Sequence, residues 1–497
     1  RLSAPAGRWV LLVAVLGSGL AMLDATVVNI ALPSIGRDLD AGLSGLQWTV
    51  NGYTLALASL ILLGGSLGDR LGRRRIFVVG IGWFTLASLG CAFAPTIEVL
   101  VAARVLQGVG GALLTPGSLA IIASSFHPDD QARAVGAWSG LGGVAGAVGP
   151  FLGGWLVDAL SWRWIFLINL PVAAVAVAFA LRHVPETRDP DAAPGLDLAG
   201  AGLSALGLAG VTYALVAAGE SGVDGTALAA ALVGVVAFGG FLATEARSPH
   251  PMLPLSLFGS RQFSAANAVT FAVYAALGGV FFLLVLHLQV VGGFGPLAAG
   301  TALLPVTALL LIGSSRAGDL AQRVGPRLPM AAGPLVSAVG VLLLLRVSRN
   351  ASYVLDVLPA MVVFGLGLTL TVAPLTSTVL AAAPRRHAGV ASGVNNAVAR
   401  AAGLLAVAVL PLAAGLSGDD YTRPDALASG FTVAMTICAA LLAVGGLLAA
   451  VTISDATIAA GAAEPGPAVS ERRRNCAVEG PPMAVVMAGT PSGREQR

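Results

Sequence analysis

The 497-residue chain is 56% hydrophobic and 11% charged with a mean hydropathy of +0.85, which excludes a soluble globule and marks an integral membrane protein. Its net charge of +3 comes from arginines scattered through short loops, so the basicity argues against a nucleic-acid partner. All 28 basic residues are arginine, and without lysine the chain has neither a Walker A loop nor a Schiff-base amine.

With about 20 apolar residues per span, fourteen membrane helices are predicted, at 9–32, 48–67, 76–94, 99–124, 133–157, 163–182, 198–218, 226–244, 263–290, 297–315, 329–346, 354–382, 389–415 and 427–452. The first span is too long for a signal-peptide core and is expected to be a retained helix. It carries Asp24, roughly 12 Å short of the outer end at 1.5 Å per residue, and Asn29. A carboxylate at that depth costs about 2.5–3.5 kcal/mol by insertion scales. Between spans 2 and 3, the hairpin Gly64–Arg75 crowds Gly65, Asp69, Arg70, Gly72, Arg73 and Arg74 into a few residues. Span 4 holds Arg104, at a depth comparable to Asp24, and Gln107. Span 5 carries Gly146, Gly149, Pro150, Gly153 and Gly154, a pattern expected first of close helix packing. Asn169 in span 6 and Asn395, Asn396 and Arg400 in span 13 are polar residues in apolar surroundings. Helix-to-helix hydrogen bonding suits the asparagines, whereas Arg400 requires a partner or a watery cavity. Asn29, Gln107, Asn169, Asn396 and Arg400 form the candidate polar or substrate cavity. His287 and Gln289 in span 9 are expected at the membrane interface, and most of the tryptophans, all between Trp9 and Trp164, at helix ends.

With a cytoplasmic N-terminus, the inner loops hold Arg70, Arg73, Arg74, Arg75, Arg133, Arg182, Arg188, Arg247, Arg261, Arg316, Arg323, Arg327, Arg385 and Arg386. The outer loops hold only Arg37, Arg163, Arg346, Arg349 and Arg423. The asymmetry satisfies the positive-inside rule, and the even count returns the C-terminus to the cytoplasm. The three cysteines, Cys91, Cys438 and Cys476, build neither a disulfide framework nor a metal site.

The chain repeats itself. GSLGDRLGRR, from Gly65, aligns with GDLAQRVGPR, from Gly318, 253 residues later, and Gln322 replaces Asp69 in the second copy. This predicts an all-α membrane protein of two parallel six-helix bundles, residues 1–185 and 251–455, with an inserted helix pair at 186–250 and a disordered cytoplasmic tail at 456–497. Parallel repeats of this kind are a transporter architecture with the substrate path between the halves. Neither Asp24 nor Arg104 has a charged counterpart in the second copy.

The loop Gly65–Arg74 resembles the signature loop of the major facilitator superfamily. LDATVVNIALP (Leu23–Pro33), RVLQGVGGA (Arg104–Ala112), GAVGPFLGG (Gly146–Gly154) and WRWIFLINLP (Trp162–Pro171) resemble motifs of its fourteen-helix drug:proton antiporters. The resemblance spans residues 9–452. It implies export of amphipathic small molecules, antibiotics or other drugs, from a monomer in the plasma membrane, driven by a proton gradient and needing no cofactor, metal or nucleic acid. It also implies that the glycines of span 5 seal against the second half and stop leak. Two readings of Asp24 and Arg104 stand side by side: a static neutralising pair, or a coupling site in which Asp24 carries the proton. The hairpin likewise reads as a topology anchor or as an inner-face latch between the halves, with Asp129 or Asp130 as partners. No acid lies in span 10, so neutral, monocationic or weakly acidic substrates are expected. A proton-coupled uptake carrier shares the fold but is not expected to carry the span 5 motif or the inserted pair. An enzyme is excluded by the lack of HExxH, of GxSxG with partners, and of any sizeable domain outside the membrane.

Overall fold

The computed structural model describes residues 5–189, 195–248, 251–349, 351–383 and 388–455. The tail 456–497, Arg385 and Arg386 lie outside them, as do the side chains of Asp129 and Arg133. Among the described residues the chain is all helical, with no strand. Its α-helices are α1 (Pro5–Asp38), α2 (Leu43–Leu71), α3 (Arg73–Ala92), α4 (Ile97–Ser125), α5 (Pro128–Ala159), α6 (Trp164–Leu167), α7 (Asn169–His183), α8 (Leu198–Ser221) and α9 (Gly225–Arg247). They continue with α10 (Arg261–Val290), α11 (Pro296–Thr301), α12 (Leu304–Val324), α13 (Arg327–Leu343), α14 (Leu358–Ala381), α15 (Ala388–Ala413) and α16 (Pro424–Thr452).

Among the described residues, thirteen segments are long and apolar enough to cross a membrane. The predicted fifth span falls in α5, 32 residues long, which stands outside that set. The predicted sixth span is broken at Ile168 into α6 and α7, and the tenth is broken into α11 and α12. Local chemistry sets several helix starts. The side chains of Thr96, Asp197, Asp224 and Ser260 accept from the backbone N–H three residues on, capping α4, α8, α9 and α10 and satisfying donors that have no partner inside the helix.

Packing follows the sequence repeat. α4 lies between α2 and α3, while α1 runs against α5, α4 and α7; further along the chain, α14 lies between α12 and α13, and α10 runs against α15 and α16. The two groups meet along α2 with α15, α5 with α11 and α12, and α1 with α10. α8 and α9 pack on each other, and α8 rests on both α2 and α15. Outward apolar side chains such as Leu86, Leu232 and Val451, 67%, 66% and 74% exposed, suit a hydrocarbon solvent.

Close backbone approach explains much of the glycine content. A Cβ added at Gly110 of α4 would stand 2.6 Å from the backbone nitrogen of Phe84 in α3, so the two helices touch where only glycine fits. Gly110→Ala should cost about 1–3 kcal/mol through overpacking, read as a lower thermal unfolding midpoint of the purified protein. Gly82→Ala, where a Cβ meets nothing within 4 Å, should leave the midpoint unchanged. Equal midpoints for both variants would refute the tight α3–α4 contact.

Candidate functional site

Five helices converge on Asp24. Arg104 and Gln107 lie one turn apart on α4 and therefore share a face. Both reach Asp24 of α1. Arg104 Nη1 donates to Asp24 Oδ2, and each member of this ion pair is 1% exposed. Gln107 Nε2 donates to Asp24 Oδ1 at 2.8 Å and lies 2.9 Å from Ser88 Oγ of α3. Asn169 Nδ2, from the start of α7, is 3.5 Å from Asp24 Oδ1 and 3.3 Å from Ser88 Oγ. Arg104 Nε donates to the Thr49 carbonyl of α2 at 3.0 Å, and its guanidinium lies over the Tyr53 ring, 4.4 Å from the centroid.

The carboxylate thus meets one cation and two amides in a site closed to water. Removing one partner of such a pair would leave an uncompensated buried charge, at a cost of about 3–5 kcal/mol. One acceptor in the cage is idle: Asn169 Oδ1 is buried without a hydrogen-bond partner. Rotating that amide would offer an acceptor to a protonated Asp24, which must donate where the carboxylate only accepts. The arrangement can therefore hold either charge state of the acid.

Sequence reasoning named Asp24, Arg104, Gln107 and Asn169, and the fold brings these four together. It missed Ser88, Thr49 and Tyr53. Ser88 also donates to its own helix at Phe84 O, 2.8 Å away, so from sequence it reads as an ordinary helical serine.

The hairpin forms a clamp of a different kind from the expected latch. Asp69 Oδ1 accepts from Arg73 Nε at 2.8 Å and from its Nη2 at 2.7 Å, across Gly72 with its φ of 118°. The hairpin is held by the segment just after α7. Arg73 N donates to Thr187 O at 2.9 Å, and Asp189 N donates to Asp69 O at 2.9 Å. Glu186 accepts from Arg74 N and Arg75 N, both at 3.1 Å, and Arg74 Nη1 donates to Val184 O at 3.1 Å. A carboxylate on the first free N–H groups of α3 is also favoured by the helix dipole. Asp69 and Arg73 thus pair with each other, while the side chain of Asp129, one of the partners expected for a latch, lies outside the described set. Arg70 and Asp130 both make interactions of their own.

The second copy repeats the clamp. Gly325 has a φ of 85°, and Asp455, just after α16, accepts from Arg327 N at 3.0 Å while Arg327 Nε donates to Ala450 O at 2.6 Å. An added Cβ would collide with Glu186 Oε1 at Gly72, 2.6 Å away, and with Asp455 Oδ1 at Gly325, 2.2 Å away. Glu186 and Asp455 sit in polar segments outside the spans, where nothing in the sequence marks them.

The glycines of α5 divide between two neighbours. At Gly149 a Cβ would meet Thr26 Oγ1 at 2.1 Å, and at Gly153 it would meet Val27 Cγ1 at 2.7 Å, both on α1. At Gly154 it would meet Leu297 Cα at 2.6 Å, and Gly300 closes on the Pro150 carbonyl at 2.1 Å by the same measure. Gly146 lies in α5, but its surroundings are outside the described set. At the same end, Gln289 Nε2 donates to Ile30 O at 2.9 Å, Gln47 Nε2 to Val407 O at 2.8 Å, and Leu43 N to Gly418 O at 2.8 Å.

The expected polar cavity does not form one cluster, since Gln107 and Asn169 belong to the Asp24 cage. Asn29 Nδ2 lies 3.4 Å from Ala25 O, and Asn29 Oδ1 is buried without a partner. Asn396 is exposed and bonds its own helix at Ser392 O, 3.1 Å, whereas Asn395 Nδ2 reaches Thr270 Oγ1 of α10 at 2.8 Å. Arg400 is half-buried with an unpartnered Nε. His287 is 2% exposed and stacked on Phe431 at 3.9 Å, inside the protein instead of at the interface.

Comparison with known proteins agrees with this geometry. The chain is 36% identical to a puromycin resistance protein of Streptomyces alboniger, over 92% of this chain and 93% of that protein. It is also 36% identical to a probable actinorhodin transporter of Streptomyces coelicolor, covering 84% and 74%, and to a methylenomycin A resistance protein of Bacillus subtilis, covering 84% and 89%. Its fold superposes on a bacterial homolog of the human lysosomal transporter Spinster with a TM-score of 0.65 at 17% identity, covering 92% and 98%. The peptide transporter POT gives 0.66 at 15% identity, covering 90% and 94%. With residues 14–407 matching the family model of that name, the chain belongs to the major facilitator superfamily.

Proposed function

We propose that this transporter exports amphipathic small molecules of the antibiotic or drug class in exchange for protons, by alternating access. What carries the reading is its 36% identity to resistance and transport proteins over most of its length. In this reading fourteen spans form two six-helix bundles, 1–185 and 251–455, around an inserted pair, as a monomer in the plasma membrane with both termini cytoplasmic. The contacts made by Ile30, Gln47, Gly154 and Gly418 then join the bundles at the outer face. Substrate then enters from the cytoplasm, and the proton enters when the outer seam opens.

Asp24 supplies the coupling step. While ionised, it is held by Arg104, Gln107 and Asn169. On protonation the Coulombic attraction to Arg104 is lost, and Asn169 Oδ1 becomes the acceptor of the new O–H. Arg104 is then free to reorient within α2, α4 and α7, which is the local change that the halves read out. The two clamps at Gly72 and Gly325 keep each bundle rigid while they move.

A susceptibility panel in a pump-deficient bacterial host tests the direction. Protonophore-sensitive resistance to at least one compound is the expected result, and sensitisation would point to uptake instead. In proteoliposomes, Asp24→Asn should retain substrate exchange down a gradient while losing acceleration by an imposed pH gradient; full pH-driven export by this variant would refute the coupling role. Asp69→Asn and Glu186→Gln should each slow turnover more than they lower the amount of protein in the membrane. Matched losses of both would reduce the hairpin to a folding anchor.

A further inference from the structure

Arg400 is a membrane-embedded cation with no counter-ion among the described residues. Gly393, Ala397, Arg400 and Leu404 recur at helical spacing and share one face of α15. That face is turned to α2. An added Cβ at Gly393 would lie 2.7 Å from Leu62, and Ala397 packs against the cluster containing Tyr53, Leu57 and Ile61. Nearer the outer end, Gln47 of α2 reaches Val407. Arg400 falls midway between these contacts, level with Tyr53, on the seam where the two groups of helices meet. One turn on along α15, an added Cβ at Gly403 would lie 3.8 Å from the Tyr274 carbonyl of α10.

The guanidinium makes no described hydrogen bond or ion pair, and its Nε is buried without a partner. A planar five-donor fork in a low-dielectric seam is a recognition element for oxygen acceptors. Nearby charge points the same way. Asp24 is already matched by Arg104, so Arg400 leaves the centre of the protein with one excess positive charge, which opposes a permanent cation and favours an acid. Tyr274, half-buried and with no described hydrogen bond of its own, adds a neutral hydroxyl and an aromatic face beside it.

Building on the export reading, we infer that Arg400 is the substrate-docking cation, and that the substrates are aromatic amphipaths carrying an acidic or carbonyl oxygen, with permanent monocations disfavoured. This narrows the sequence expectation, which admitted neutral, monocationic and weakly acidic molecules alike. Arg400 forms charge-assisted hydrogen bonds to the oxygen, while the ring system lies against the half-buried Tyr274 of α10.

Two xanthene dyes of similar size and opposite charge separate the outcomes: fluorescein, an anion, and rhodamine 6G, a monocation. Their binding to the purified full-length protein is read by fluorescence polarisation against empty detergent micelles. Fluorescein should bind at least about tenfold more tightly than rhodamine 6G, a charge-assisted difference of ordinary size. Arg400→Gln should erase that preference by weakening fluorescein alone, and Arg400→Lys, which keeps the charge, should retain part of it. Rhodamine 6G binding as tightly as fluorescein, no saturable fluorescein binding, or an equal loss of both dyes in Arg400→Gln with Arg400→Lys no better would each overturn the inference. Failure of pH-driven fluorescein export in proteoliposomes, with the binding preference intact, would instead overturn the export reading and leave the docking site standing.

Discussion

A charged group in hydrocarbon must find its partner inside the protein, and the rest of this structure is arranged around that constraint. Asp24 and Arg104 are each 1% exposed. They persist there because Gln107 and Asn169 donate to the carboxylate and the Thr49 carbonyl accepts from the guanidinium. Asn169 Oδ1, buried without a partner, is an acceptor that only a protonated acid would use. A cage satisfied in only one charge state would be a structural rivet. This one has an acceptor in reserve.

The comparison of the two halves separates framework from function. Gly72 with Glu186 and Gly325 with Asp455 are the same device built twice: a left-handed glycine lets the chain turn, and a carboxylate from the end of the bundle covers the first N–H groups of the next helix. Duplication of this clamp indicates that the fold itself needs it. The Asp24 cage has no second copy, and neither does the Asp69–Arg73 pair, since Gln322 stands where Asp69 does in the first half. Charge that appears once in a twofold architecture is held for something other than the architecture.

What could be read from sequence follows the same division. Apolar length fixes where helices lie, because backbone groups in lipid have no alternative to helical bonding, and the predicted spans differ from the observed helices mainly at their ends. Asp24 and Arg104 are conspicuous because charge is rare in such segments. Ser88 and Tyr53 are not, since a helical serine or tyrosine is unremarkable until a neighbouring helix is placed beside it. The break at Ile168 between α6 and α7 comes one turn before Pro171, which has no N–H for the Leu167 carbonyl, a signal that apolar length alone passes over. Charge density in the hairpin reveals that partners exist, whereas finding Glu186 on the first N–H groups of α3 takes three dimensions.

The seam between the two groups of helices has a different physical character from the cage. Where α5 meets α11, the contact is backbone against backbone: Gly154 opposite Leu297, and Gly300 opposite the Pro150 carbonyl. Such a contact excludes water by proximity alone and holds no ion pair that must be broken when it parts. Beside it, hydrogen bonds run to main-chain carbonyls, from Gln47 to Val407, from Leu43 to Gly418 and from Tyr421 to Ala41. A seam of this kind is tight yet inexpensive to open, because each donor and carbonyl exposed by opening can be taken up by water at the membrane surface. The strong electrostatics are kept within one half, and the weak, well-fitted contacts are placed between the halves. Under the proposed coupling, that partition would let a single protonation at Asp24 influence a large movement without having to overcome a large energy at the interface.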